Sequence, residues 1–181
     1  MKCLECGNTM VSARENYRYT ESGLPYIVLV GVEVRRCPAC GEEGVVIPRI
    51  EALHRAIALY VSGKPGRISP EEIRYLRTYL GWSGALFAER MGVAAESVSR
   101  WEHGTQKMAH ATEKVLRSLA ALQVFSESAR PGPVTGDERT FLAQHVRAVL
   151  EGTAPKRTAT KKTRLLATPR PEAWALAEQA A

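Results

Sequence analysis

The chain has 181 residues, with 25 Lys and Arg against 19 Asp and Glu, a net charge of +6. Hydrophobic residues make up 45% and charged residues 24%, an ordinary globular composition that excludes collagen-like, mucin-like and wholly disordered chains. No apolar run reaches the roughly 18 residues of a membrane span, and Met1-Lys2-Cys3-Leu4-Glu5-Cys6 has no apolar signal-peptide core, so a cytoplasmic protein is expected.

The basic excess is uneven. Residues 128–181 hold nine Lys and Arg against five acids, and the run from Lys156 to Arg170 contains no acid at all. The two preceding thirds are close to balanced, so net charge alone is a weak pointer to nucleic acid.

All four cysteines lie in the first 40 residues, as two C-x-x-C pairs, Cys3/Cys6 and Cys37/Cys40, with 30 residues between the pairs. Thiols stay reduced in the cytosol, so disulfides are not expected. Each C-x-x-C turn can present two sulfurs to one Zn2+, and the two pairs complete a tetrahedron. Gly7 and Gly41 directly follow the pairs, where the chain must turn tightly around a metal, and Pro38 stiffens the second pair. A redox C-x-x-C would open a helix in a βαβ setting, and that context is missing. Four sulfurs leave no open coordination position, so one structural ion is expected rather than a catalytic one. A unit this small buries little apolar surface, which makes the metal the driver of its folding.

Between the pairs, Val28, Val30, Val32 and Val34 alternate with Ile27, Leu29, Gly31 and Glu33, the period of a β-strand, after a turn at Ser22-Gly23-Leu24-Pro25. The strand returns Cys37 to the first pair. From Ile50 the period changes: Ile50, Leu53, Ile57, Tyr60 and Val61 mark an amphipathic helix. His54 on this helix reads as a surface histidine. Ser62-Gly63-Lys64-Pro65-Gly66 then reads as a linker, taken as residues 63–68.

Ser69-Pro70-Glu71-Glu72 opens the next helix with a capping serine, a proline at the first position and a glutamate completing a capping box. Ile73, Leu76 and Leu80 form its buried stripe, and Gly81 ends it. Residues 82–104 carry the pattern of a helix-turn-helix. Ser83 caps the first helix, small Ala88 allows a close crossing, and Gly92 permits the turn. Val93 plugs the space between the helices, Val98 and Trp101 point inward, and Gly104 ends the second helix. Its outward face holds Glu96, Ser97, Ser99 and Arg100. An arginine there can reach guanine O6 and N7 bidentately, serines can bond phosphates or bases, and a glutamate can accept from cytosine N4. The candidate DNA-binding residues are therefore Ser83, Glu96, Ser97, Ser99 and Arg100. The helix over residues 110–125 carries Val115, Leu119 and Leu122, with Leu116 and Phe125 beside them. This stripe serves either the internal core or a dimer seam.

Ala88-Glu-Arg-Met-Gly-Val followed by Val98-Ser-Arg-Trp-Glu-His-Gly104 resembles the Xre-type helix-turn-helix of phage-repressor-like proteins. Together with Met1-Lys-Cys-x-x-Cys and Cys37-Pro-x-Cys-Gly41, residues 1–125 resemble the MqsA-type antitoxins with their YgiT-type zinc finger. The resemblance implies that the zinc domain binds a ribonuclease toxin. It also implies that the helical domain forms a homodimer through the helix of Val115, Leu119 and Leu122 and binds a palindromic operator in its own promoter. Arg100 matches a base-reading arginine of that family. Glu96 stands where the family carries a base-reading asparagine, and Ser83-Gly84 stands where Thr-Gln is frequent, so the Gln-to-phosphate bond is absent.

After Pro131-Gly132-Pro133, Phe141, Leu142, Val146, Val149 and Leu150 mark a further helix at about residues 137–151. Residues 152–171, rich in Thr, Lys, Arg, Ala and Pro, read as a disordered basic tail, either a sequence-neutral phosphate-binding arm or a solvated segment. Trp174-Ala175-Leu176 reads as a terminal helical turn. The expected architecture is α+β: a β-rich zinc unit with four cysteine ligands (1–62), a linker (63–68), an all-α helix-turn-helix bundle (69–127) and a partly disordered extension (128–181). No Ser-His-Asp order, catalytic carboxylate pair, P-loop or dinucleotide turn is present, so an enzyme is not expected. The expected function is that of a toxin–antitoxin repressor, and the alternative is a stand-alone zinc-containing regulator without a toxin.

Overall fold

The structure is a computed structural model that describes residues 1–128, 163–171 and 173–180. These residues form an α+β protein with strands first, then helices, then strands again. They divide into two compact units. One comprises residues 1–56 with the described part of 161–181, and the other the described part of 57–160. None of the described helices is long and apolar enough to cross a membrane.

The first unit is built on one five-stranded sheet. Strand β1 (Val11–Arg18) and strand β2 (Ile27–Arg36) run antiparallel. The far end of β2 pairs with β3 (Glu43–Val46), antiparallel, through Glu33 to Arg36. The near end of β2, Ile27 to Leu29, pairs in parallel with β4 (Thr163–Pro169), which pairs antiparallel with β5 (Trp174–Ala180).

The strand expected from the valine alternation is present, but its period breaks in the middle. Between the pairs Glu15–Val32 and Tyr17–Leu29, two residues of β2, Val30 and Gly31, face the single residue Asn16. This is a β-bulge, with Gly31 in the left-handed region at φ 64. The Asn16 side-chain carbonyl accepts the Gly31 N–H at 3.2 Å. The extra residue resets the pleat, so Ile27, Leu29, Val32 and Val34 are all buried, whereas Val28 and Val30 are only half-buried.

The carboxy-terminal strands correct two expectations. Thr163–Pro169, inside the supposed disordered tail, is a sheet strand, and Trp174-Ala175-Leu176 lies in a strand rather than a helical turn. Leu165 and Ala167 are buried beside Ile27 and Leu29. Trp174 is buried too, and its indole N–H donates to the Pro48 carbonyl at 3.0 Å. Arg49 donates to the carbonyls of Arg170 and Pro171. Ala, Leu, Glu and Gln in Trp174–Ala180 favour helix locally, and sheet pairing overrides that preference. The helix expected at 137–151 and residues 152–162 lie outside the described residues.

Helix α1 (Ile50–Gly63) follows β3 and buries Leu53, Ile57, Ala58 and Val61. The division between the two units falls inside it, after Ala56. His54 is not a surface residue. It is half-buried, and its Nε2 lies 3.0 Å from the Tyr19 hydroxyl. Burial holds its pKa below the ordinary histidine value.

The second unit is helical: α2 (Pro70–Tyr79), α3 (Gly84–Met91), α4 (Ala95–Glu102) and α5 (His110–Ser128). The capping box of α2 forms as its sequence requires, with the Ser69 side chain accepting from the Glu72 N–H and Glu72 accepting from the Ser69 N–H. Helix α3 packs on α4, and α2 packs on both α4 and α5. Phe87, Leu76, Val98, Trp101 and Leu116 are buried, with the Phe87 and Trp101 rings edge to face at 6.4 Å.

Residues 63–68, expected as a linker, are hydrogen-bonded into this unit. Arg117 donates to the Lys64 carbonyl at 3.0 Å and to the Gly66 carbonyl. Glu113, 4% exposed, pairs with Arg67 at 2.7 Å and Arg117 at 3.0 Å, and accepts the Ile68 N–H at 3.1 Å. Arg67 also donates to the Met108 carbonyl, and Lys64 pairs with buried Glu72 at 2.7 Å.

Candidate metal centre and nucleic-acid interface

The two C-x-x-C turns are near copies of each other. In the first, the Gly7 N–H donates to the Cys3 carbonyl at 3.0 Å, and in the second the Gly41 N–H donates to the Cys37 carbonyl at 2.9 Å. Both glycines are left-handed, at φ 74 and 77, a conformation that opposes a side chain. Each turn closes with a second bond, Cys3 N–H to Asn8 carbonyl and Cys37 N–H to Glu42 carbonyl. Strand β2 delivers the second turn beside the first.

The four sulfurs lie within 4.8 Å of one another, with Cys3 to Cys40 at 3.6 Å and Cys6 to Cys37 at 3.4 Å. Four thiolates around Zn2+ at about 2.3 Å stand roughly 3.8 Å apart in a tetrahedron, so the cluster needs only small adjustments to hold one ion. Cys3 and Cys37 are buried, whereas Cys6 and Cys40 are exposed, and all four are free of disulfides. The Asn8 backbone N–H, then its side-chain amide at 3.4 Å from Sγ, pulls the Cys6 thiol down to about 6. At Cys40 the Glu42 backbone favours the thiolate, but the sulfurs of Cys6, Cys37 and Cys3 together push its pKa up to about 12. A bound cation would favour the thiolate form of all four sulfurs.

The helical unit places the other predicted residues around α3 and α4. The Ser83 side chain caps α3 by accepting the Leu86 N–H at 3.1 Å. Gly92 ends α3 in the left-handed region at φ 64, and residues 93–94 lead into α4. Ala88 is buried between the helices, and Val93 is half-buried. On α4, Val98 and Trp101 face inward, while Glu96, Ser99 and Arg100 are exposed and Ser97 is half-buried. The neighbouring Glu102 is engaged by Arg77 at 2.5 Å and Arg74 at 3.4 Å. It therefore does not neutralise Arg100, whose guanidinium has no ion pair among the described residues.

Two features were not anticipated from the sequence. His103 Nδ1 approaches the Ser99 carbonyl at 2.7 Å and Ser99 Oγ at 3.4 Å, which ties one candidate serine to its own helix. Arg90 stacks on the Trp82 ring at 4.7 Å and braces the start of α3. The available signal was an arginine on the same short helix as Phe87, one turn further on, with Trp82 just before that helix. On α5, Val115 and Leu122 are exposed at 48% and 56%, and Leu119 is half-buried. Phe125 extends this stripe at 48% exposure, whereas Leu116 is fully buried. No protein family, curated protein or solved structure matches the chain.

Proposed function

We propose that the chain is a zinc-containing antitoxin that represses its own operon as a homodimer. Cys3, Cys6, Cys37 and Cys40 would hold one structural Zn2+, which crosslinks the two turns and organises the β1–β2 sheet around them. The role is structural because the protein fills every coordination position. The α3–turn–α4 pair would act as a helix-turn-helix, with α4 in the major groove.

The observation that carries the DNA-binding reading is the outward face of α4. It offers Arg100 without an ion-pair partner among the described residues, beside Glu96, Ser97 and Ser99, while Val98 and Trp101 anchor the opposite face. Arg100 would read a guanine, and Ser83 and Ser97 would contact phosphate. The stripe of exposed Val115, Leu122 and Phe125 with half-buried Leu119 supports a dimer seam, which would set two copies of α4 on half-sites about 34 Å apart. The toxin partner, a ribonuclease held by the zinc unit, follows from the resemblance of residues 1–125.

Co-expression with the product of the adjacent open reading frame tests the whole reading. A stable complex that silences ribonuclease activity, together with nanomolar binding to the upstream palindrome, is the expected result. Operator binding without any such complex leaves a stand-alone regulator. Loss of both refutes the proposal.

A further inference from the structure

Arg164, from the basic run near the carboxy terminus, completes a pocket on the sheet. A cavity of about 250 Å³ lies in the first unit, lined by Asn16, Arg18, Pro25, Tyr26, Val28 and Arg164. The parallel pairing of β2 with β4 sets Leu165 beside Ile27 and thereby brings Arg164 to this wall. The bulge opposite Gly31 positions Asn16.

Among the described residues that line the cavity, the donors face no acid. The Asn16 carbonyl is occupied by the Gly31 N–H, which leaves its amide N–H groups as the free part of that side chain. Arg18 donates through Nε and Nη2 to the Pro25 carbonyl at 3.2 and 3.0 Å, which locks its guanidinium and leaves Nη1 available. Arg164 is exposed and its side chain has neither a hydrogen bond nor an ion pair among the described residues. Among the described residues, no carboxylate lines the cavity. Two guanidinium groups and an amide, with one guanidinium already fixed, form an anion-binding set suited to the oxygens of phosphate. Pro25, Val28 and Tyr26 give the rest of the wall an apolar and aromatic surface. The volume has room for several waters, each of which needs about 10–15 Å³ of such space. It is larger than a bare phosphate needs, yet just below the roughly 300 Å³ at which drug-sized pockets begin.

We propose that this pocket binds a small phosphorylated ligand, with its phosphate held by Arg164, Arg18 and Asn16 and its organic part on Pro25, Val28 and Tyr26. A nucleotide fits this chemistry, either free or as the phosphorylated end of a single strand. The site is independent of the α4 face and of the toxin reading.

The test uses the full, metal-loaded chain and titrates inorganic phosphate, a mononucleotide, the matching nucleoside and a 5′-phosphorylated single-stranded tetranucleotide. Binding is followed by calorimetry and by backbone and arginine side-chain NMR shifts. The mononucleotide should bind more tightly than phosphate, with shifts at Asn16, Arg18 and Arg164, and the nucleoside should not bind. Equal affinity for the tetranucleotide would identify a strand end as the source, and much weaker affinity would identify the free nucleotide. Arg164→Ala breaks no side-chain hydrogen bond or ion pair among the described residues and should keep the thermal midpoint while weakening the mononucleotide about ten-fold or more. Arg164→Lys should recover part of that loss. The inference is overturned if no phosphorylated probe binds at millimolar concentration, if the nucleoside binds equally well, or if folded Arg164→Ala binds unchanged.

Discussion

Replacing Glu113 by alanine offers the sharpest test of how the helical unit holds its amino-terminal segment. The carboxylate is almost fully buried and serves three groups at once: Arg67 at 2.7 Å, Arg117 at 3.0 Å and the Ile68 N–H at 3.1 Å. Arg117 is itself 7% exposed, and its pKa is lowered first by burial, against which Glu113 is the leading charge favouring the protonated form. Truncating the acid leaves that guanidinium buried without its carboxylate, which costs about 3–5 kcal/mol. The Ile68 N–H loses its acceptor as well, a further cost of about 1–3 kcal/mol that overlaps with the first because the groups relax together. Domains of this class have only about 5–15 kcal/mol in hand. At roughly 4–8 °C per kcal/mol for a domain of 60–100 residues, the expected loss in Tm is about 12 °C or more. Amide hydrogen exchange of α2 and α5 during thermal denaturation reports this unit separately from the sheet. Glu113→Gln keeps an acceptor for Ile68 and should fall between the two. A Glu113→Leu, Arg117→Met pair removes both buried charges and should recover much of the loss. A fall in Tm of less than about 4 °C for Glu113→Ala would refute the reasoning, because it would mean that water already screens the cluster.

Cys37→Ser should abolish stoichiometric zinc retention, measured by metal analysis after dialysis, and should collapse the exchange protection of β1 and β2 while α2 to α5 stay protected. Arg100→Ala should weaken operator binding by about 1–3 kcal/mol in fluorescence anisotropy and change binding to random DNA much less; equal losses would reduce Arg100 to a phosphate contact. Leu122→Glu places a charge in the exposed stripe of α5 and should shift the chain from dimer to monomer in sedimentation velocity, with α5 still helical. His54 titrates below its ordinary value in the fold, so the unfolded chain takes up its proton first as pH falls. Stability should therefore be full above the ordinary histidine range and decline as pH drops through about 6.5 toward the lower folded value. His54→Gln should flatten that decline in acid-dependent denaturation.

Local chemistry made much of the molecule legible from the residues alone. The two C-x-x-C turns, each followed by glycine, announce their own geometry, because metal-type turns depend on spacing and a left-handed residue. The Ser69 capping box, the Ser83 cap and the Gly92 turn were equally readable, since each is completed within a few residues. The valine alternation marked β2, but it could not show the bulge at Gly31. Burying Ile27, Leu29, Val32 and Val34 on one face requires a partner strand that skips a residue, and that partner is β1. His54 likewise read as a surface residue because its partner, Tyr19, belongs to a distant segment.

The carboxy-terminal residues mark the boundary between the two kinds of information. The Thr, Lys, Arg, Ala and Pro content of residues 152–171 reads as a disordered tail, and Trp174–Ala180 has a helix-favouring composition. The strand state of Thr163–Pro169 and Trp174–Ala180 comes from parallel pairing of Leu165 to Ala167 with Ile27 to Leu29 and from docking of Trp174 on Pro48. Backbone donors in a strand find their partners across the sheet, far along the chain, whereas a helix or a metal turn closes its bonds within four or five residues. Short-range motifs are therefore written in neighbouring residues, and the fate of the last strands is written in the edge that β2 leaves open.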